Sequence, residues 1–208
     1  MGEKGAIVDA FVDRTEELAA LEEQFADHQA AMVVIYGRRR IGKTALITEF
    51  VRDKRALYFL ATEESEEQNR AAFQKQVAAF TGDELLGQVS VDNWDVLFDR
   101  LTSDGERLVV ALDEFQYLGK ANPAFPSVFQ RIWDTMLSKR NVMVILCGSL
   151  ISLMESQVLS YSSPLYGRRT AQVRMKQIPF RFYRDFFSKE IGRRELVELY
   201  SVTGGVPK

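Results

Sequence analysis

Residues 37–44 read Gly37-Arg38-Arg39-Arg40-Ile41-Gly42-Lys43-Thr44, which has the form G-x-x-x-x-G-K-[ST] of a phosphate-binding loop. Each residue type has a physical reason. Gly37 and Gly42 allow backbone angles and a close approach that a side chain would block. The loop amides then turn inward and cradle phosphate oxygens, helped by the positive end of a helix starting near Lys43. Lys43 is a point charge for the β- and γ-phosphates, and the Thr44 hydroxyl is suited to Mg2+. Ala45 completes the stretch 37–45. A chance match in a glycine turn is the plainer alternative; a buried strand leading in and an amphipathic helix leading out favour the phosphate site. Arg38, Arg39 and Arg40 are either a solvated loop tip or contacts to nucleotide or partner.

About seventy residues on, the apolar run Leu108–Leu112 ends in Asp113 and Glu114. Behind a phosphate loop such a pair divides the work: the aspartate holds Mg2+ through water, and the glutamate polarises the attacking water. Read without the loop, the two carboxylates could simply cap a following helix. The pair also discriminates among nucleotide enzymes. A GTPase would want D-x-x-G, but Asp113 is followed by Glu114-Phe115-Gln116. None of Asn69, Asn93, Asn122 and Asn141 is followed by lysine, so the guanine element N-K-x-D is missing. A small-molecule kinase rarely needs a glutamate beside the metal aspartate. Water as acceptor, and hence ATP hydrolysis, is favoured.

Two further positions carry alternatives. Ser149 follows the apolar run Val142–Cys147, where a polar residue would lie near the γ-phosphate; it either orients water or senses phosphate, or caps a helix over 150–156. Arg168 precedes a fifth strand. It is either an arginine finger for a neighbouring subunit, or part of a solvated turn or a pair with the acidic segment 63–67. From Tyr166 to Arg184 there are Arg168, Arg169, Arg174, Lys176, Arg181 and Arg184 without an acid. That run could touch nucleic-acid phosphates, though the neighbouring Phe180, Phe182, Tyr183, Phe186 and Phe187 read more simply as packing residues. Cys147 reads as a small core hydrophobe, and His28 as surface.

These side chains need a scaffold. The periodicity predicts a helix over about Asp13–Asp27 with Asp13 as its cap, and strands at Met32–Tyr36, Ala56–Leu60, Leu108–Leu112, Val142–Cys147 and Thr170–Lys176. Helices are expected from about Lys43 to Val51, over 66–81 and 92–102, from the Pro123/Pro126 pair to about Ser138, and through the tail 181–203. Strands alternating with helices imply an α/β three-layer sandwich around a parallel sheet. The 208 residues suffice for a real core, and 27 basic against 29 acidic side chains leave a net charge of −2, which does not advertise nucleic acid. One cysteine and one histidine exclude a disulfide scaffold and a multi-histidine metal site. The apolar runs are strand length, far short of the ~20 residues of a membrane span. The first residues lack a signal pattern, and Gly2 lacks the Ser or Thr at position 6 that myristoylation wants. No membrane partner and a cytoplasmic location are the expectations.

Assembled, these residues resemble the archaeal-type family of P-loop ATPases, of the ASCE class and close to the STAND and AAA+ groups. Phe11-Val12-Asp13-Arg14-Thr15-Glu16-Glu17-Leu18 resembles the family's opening element beside the adenine. The arginine-rich run 36–44 resembles its phosphate loop, and Asp113-Glu114-Phe115-Gln116 its Walker B segment. Gly148-Ser149 and Pro164–Arg168 resemble the sensor segment and the arginine before the last strand. Thr203-Gly204-Gly205-Val206-Pro207 resembles the G-x-P turn of the lid, whose proline packs on adenine. The resemblance implies a five-stranded sheet of order 5-1-4-3-2. It implies Phe11, Arg14, the 37–45 loop and Pro207 around ATP or ADP, with Mg2+ at Thr44 and Asp113. It also implies a core at 1–178 and the start of a helical lid at 179–208, stopping short of further domains. The expected function is Mg-dependent ATP hydrolysis with Lys43, Glu114, Ser149 and Arg168 in catalytic roles, driving a conformational change in a larger assembly. A slow nucleotide-gated switch, or a DNA-associated motor or defence module, are the rivals. Partners would be a second copy, through the arginine finger, or a DNA or protein client.

Overall fold

The computed structural model describes residues 13–26, 30–187 and 191–204. Phe11, His28 and Pro207 therefore lie outside the described residues. Helix α1 (Thr15–Ala26) leads to strand β1 (Ala31–Tyr36), the phosphate-type loop and helix α2 (Lys43–Val51). Strand β2 (Ala56–Leu60) is followed by α3 (Glu66–Thr81), α4 (Glu84–Gln88) and α5 (Trp94–Leu101). Strand β3 (Leu108–Asp113) leads through α6 (Gln116–Ala121) and α7 (Phe125–Thr135) to β4 (Val142–Gly148). The short α8 (Ile151–Met154) runs into a wide turn at Glu155–Leu159, and β5 (Ala171–Arg174) closes the sheet. Helices α9 (Phe180–Tyr183) and α10 (Arg193–Thr203) follow.

All the strand pairs are parallel and the order is β2-β3-β4-β1-β5, the expected 5-1-4-3-2 read from the other edge. Parallel sheets are covered on both faces, and the side chains divide accordingly. Met32, Val34, Leu108, Val110, Val142 and Val144 face one core, with Phe73, Trp94, Phe98, Phe125 and Phe129 from α3, α5 and α7. The alternate residues Val33, Ile35, Val109, Ala111, Met143 and Ile145 face the other, with Leu21 of α1 and Leu46, Ile47 and Phe50 of α2. Rings in the first core meet at 5.1 Å (Phe73–Phe98 and Trp94–Phe125), each such pair worth about 0.5–1.5 kcal/mol beyond its area. Among the described residues strand β5 pairs only with β1, and its Gln172 and Arg174 are exposed, as an edge requires.

Several expected boundaries move. Helix α1 begins at Thr15, and Asp13 has φ +47°, so Asp13 is not its cap. The expected fifth strand Thr170–Lys176 shortens to four residues. The tail is not one helix. Helix α9 passes into a tight turn at Arg184–Phe186, and Gly192 is extended (φ −62°, ψ 145°) before α10. That break lets Ile178, Tyr183, Phe186 and Leu196 form a small separate cluster, with the Tyr200 hydroxyl donating to the Ile178 carbonyl at 3.1 Å. No described helix is long and apolar enough to cross a membrane.

Candidate functional site

The carboxyl ends of β1, β3 and β4 meet at the loop. Tyr36 ends β1, its carbonyl accepting from the Met175 amide at 2.8 Å. That contact brings the end of β5 so close that a Cβ on Gly37 would lie 2.6 Å from both the Met175 carbonyl oxygen and Ile41 Cδ1. Gly42 differs: space is open around it, but its φ of +89° favours glycine. Arg40 is also left-handed, at φ +63°. Helix α2 then starts at Lys43 with no side-chain cap, so its first amides stay free for an anion.

Lys43 is only 6% exposed. Its ammonium donates to the carbonyls of Gly37 at 3.1 Å and Arg38 at 2.9 Å, so it lies folded over the loop. The Thr44 hydroxyl donates to Asp113 Oδ2 at 2.9 Å. Asp113, 2% exposed, takes two more donors: the Tyr58 hydroxyl at 2.6 Å on Oδ2, and the Glu114 amide at 2.8 Å on Oδ1. Burial and the Asp113 carboxylate push the Tyr58 hydroxyl's pKa well up, so it stays a donor. Burial, with Asp113 above it, also pushes the Cys147 thiol up; it is an inert core residue, as its type suggested. Among the described residues no cluster of three or more His, Cys, Asp or Glu could hold a metal. Thr44 and Asp113 are nonetheless hard oxygen donors side by side, a set suited to magnesium that completes its shell with water and phosphate oxygens.

Glu114 follows at φ +52°, an uncommon conformation for a non-glycine residue. Its Oε2 accepts from Ser149 Oγ at 2.7 Å and from Gln116 Nε2. Helix α6 starts at Gln116 and α8 at Ile151, neither with a side-chain cap. The capping alternatives for Asp113, Glu114 and Ser149 therefore fall, and Ser149 joins the glutamate. A cavity of about 560 Å³ opens here, lined by Arg39, Arg40, Gly42–Ala45 and Glu114.

The other expected residues separate. Arg39 donates to the Tyr117 hydroxyl at 2.6 Å and Arg38 lines an adjoining cavity of about 430 Å³. Ile41 is 2% exposed and packs into the core, so only its backbone can serve a ligand. Arg14 is a brace: its guanidinium donates to the Ile41 carbonyl at 3.1 Å and the Lys176 carbonyl at 2.7 Å, beside a cavity that also contains Arg181. Arg168 grips both carboxylate oxygens of Asp134 at 2.8 Å, not segment 63–67, whose Glu63 pairs with Lys120. It precedes the amino end of β5, on the opposite side of the sheet from the loop. Tyr58 and Gln116 were not anticipated as site residues. Tyr58 lies in a segment that reads only as a strand, and the strand order brings it in; Gln116 ends the segment that resembles Walker B, and the turn after β3 folds it back onto Glu114.

Known proteins share this fold. The Walker-type ATPase Paby2304 of Pyrococcus abyssi superposes with a TM-score of 0.71 at 23% identity, covering 95% of this chain and 65% of that one. Aeropyrum pernix Orc1, solved in complex with DNA, follows at 0.64 and 18%, covering 95% and 56%. A STAND protein with a tetratricopeptide repeat sensor from Pyrococcus horikoshii gives 0.59 and 18%, covering 98% and 29%. At these identities the likeness is one of fold. By sequence, MJECL04 of Methanocaldococcus jannaschii, an uncharacterised protein, is 39% identical over 197 residues, 95% of this chain but 42% of its own length. The ATP-binding protein MJ0423 of the same organism is 47% identical over 45 residues, 22% of this chain and 76% of its own length. The chain thus spans less than half the length of its long curated relative. A family model for ATPase domains found predominantly in Archaea matches residues 11–208, the span that carries the loop, the carboxylate pair and all five strands, and the chain belongs to that family.

Proposed function

We propose that this domain binds Mg-ATP on the 37–45 loop and hydrolyses it, using the energy to change its contacts within a larger protein or assembly. The observation that carries the reading is the meeting of Thr44 with Asp113 at 2.9 Å, which joins the phosphate loop to the carboxylate pair of β3. Lys43 exchanges its loop carbonyls for β- and γ-phosphate oxygens and stabilises charge on the transferring group. Thr44 and Asp113 would hold magnesium, which would supply positive charge against the phosphate oxygens. Glu114 takes the proton of the attacking water, and Ser149 orients that carboxylate. The core is residues 1–178 and the lid segment is 179–208; Phe11, Arg14 and Pro207 are the residues proposed for the adenine, with Phe11 and Pro207 outside the described residues.

The test is Glu114→Gln, assayed for ATP binding and for phosphate release. Binding is retained and turnover falls by about 10²–10⁴-fold, the usual worth of a positioned base; wild-type turnover rules Glu114 out of that role. Tight binding without turnover in the unaltered chain favours the slow nucleotide-gated switch instead. A DNA client is the remaining reading. It is supported by Arg174 and Lys176, which have no ion pair among the described residues and line the second cavity, and by the DNA-bound relative of like fold. A cytoplasmic location fits these roles.

A further inference from the structure

Gln116 is wholly buried beside the reacting end of β3, and no role above uses it. Its Nε2 donates to Glu114 Oε2, the oxygen that also accepts from Ser149. Its own Oε1 is buried with no hydrogen-bond partner among the described residues. Turning the amide end for end would set its oxygen against the carboxylate, so Glu114 dictates the orientation. A buried carbonyl left unpaired destabilises a fold, whereas an apolar side chain of the same shape carries no such cost. The backbone makes room for this amide as well. A Cβ on Gly148, at the end of β4, would run into Gln116 Oε1 and Met154. On the far side Gln157 Nε2 donates to the Gln116 carbonyl at 3.3 Å, where a Cβ on Gly119 would meet Gln157 Cδ at 2.5 Å. With Glu114 itself left-handed, an orphaned acceptor, a strained backbone and an obligatory glycine all converge on one carboxylate. Unfavourable features gathered at one place point to function.

We infer that Gln116 is a positioning residue for hydrolysis. Together with Ser149 it fastens Glu114 Oε2 and leaves Oε1 as the oxygen that receives the proton. Water gives that proton to Oε1 as its oxygen bonds to the γ-phosphorus and the bond to the β-bridging oxygen breaks. ADP leaves with that electron pair, and the proton passes from Glu114 to phosphate or solvent. The inference rests on the reading of Glu114 as the group that activates water.

The experiment is Gln116→Met, similar in shape but without a donor, made alone and in the Glu114→Gln background. Turnover, KM for ATP and thermal unfolding are measured for each. Alone, it lowers kcat by roughly tenfold or more, the scale of a misplaced catalytic group, while KM stays within about twofold and Tm is held or raised. Added to Glu114→Gln, it lowers the residual rate no further, because its only route to the chemistry is already gone. Wild-type kcat, an additive loss in the double variant, or a Tm lower by more than about 5 °C overturns the inference. The stability arm decides even where turnover is slow. An inactive Glu114→Gln beside a fully active Gln116→Met leaves the function standing and removes only Gln116. A fully active Glu114→Gln removes both.

Discussion

The carboxylates at the end of β3 differ in how they are held. Asp113 takes three donors and is nearly closed to solvent; Glu114 is held through one oxygen. Fixing suits a group that must keep a cation in place, and a free oxygen suits one that must accept a proton. One of the three donors that fix Asp113 is Tyr58. Replacing it with Phe leaves Thr44 alone on Oδ2. Outer partners of metal-holding groups typically matter about 10–100-fold, so a magnesium titration of Tyr58→Phe should show the half-saturating concentration raised by several-fold to tenfold, with kcat at saturation little changed. An unshifted titration rejects the role. Lys43, Thr44, Asp113 and Glu114 were legible from residue type and spacing. Tyr58 was not, because ALYFL reads only as a strand; its hydroxyl acquires meaning when β2 lies next to β3 and Leu60 aligns with Asp113.

At the level of elements, the helices and strands with strong periodicity appear where the pattern puts them. The exceptions are short pieces. Helices α4 and α6 have five and six residues, too few to show a period of 3.6. The tail read as one helix because its aromatic residues suit several spacings, and the small cluster around Tyr183 decided otherwise. The two loop glycines offer a test of how β1, α2 and β5 are locked together. Gly37→Ala forces a Cβ to 2.6 Å from the Met175 carbonyl, an overpacking cost of about 1–3 kcal/mol, and pushes β5 away from β1. Gly42→Ala meets nothing and costs only its backbone angle, about 1–2 kcal/mol. Thermal unfolding should therefore rank Gly37→Ala as the less stable. The reverse order would mean that conformation, not the approach of β5, sets the loop.

For the whole molecule, parallel connection fixes what each end of the sheet can do. The loop follows the carboxyl end of β1, whereas Arg168 precedes the amino end of β5, so Arg168 cannot serve the site of its own chain. Service to a neighbouring copy remains, and it has a clear signature. Turnover per chain climbs with protein concentration, and Arg168→Ala flattens that climb. The substitution leaves stability within about 1 kcal/mol, since the pair with Asp134 is partly exposed. A flat rate in the unaltered chain means a self-sufficient site. Asp134 is itself held below the usual carboxylate range by Arg168. The pair is therefore present at neutral pH and lost only as acid protonates the carboxyl below its ordinary value near 3.8.

The brace at Arg14 has a mechanical consequence. One guanidinium joins the carbonyl of Ile41, inside the phosphate loop, to the carbonyl of Lys176, two residues before the tail cluster begins at Ile178. The side chain is 5% exposed, and its bond to Ile41 is buried. If phosphate at the proposed site shifts the loop backbone, this shared guanidinium would couple that shift to the root of the tail, and the tail would then report what the loop holds.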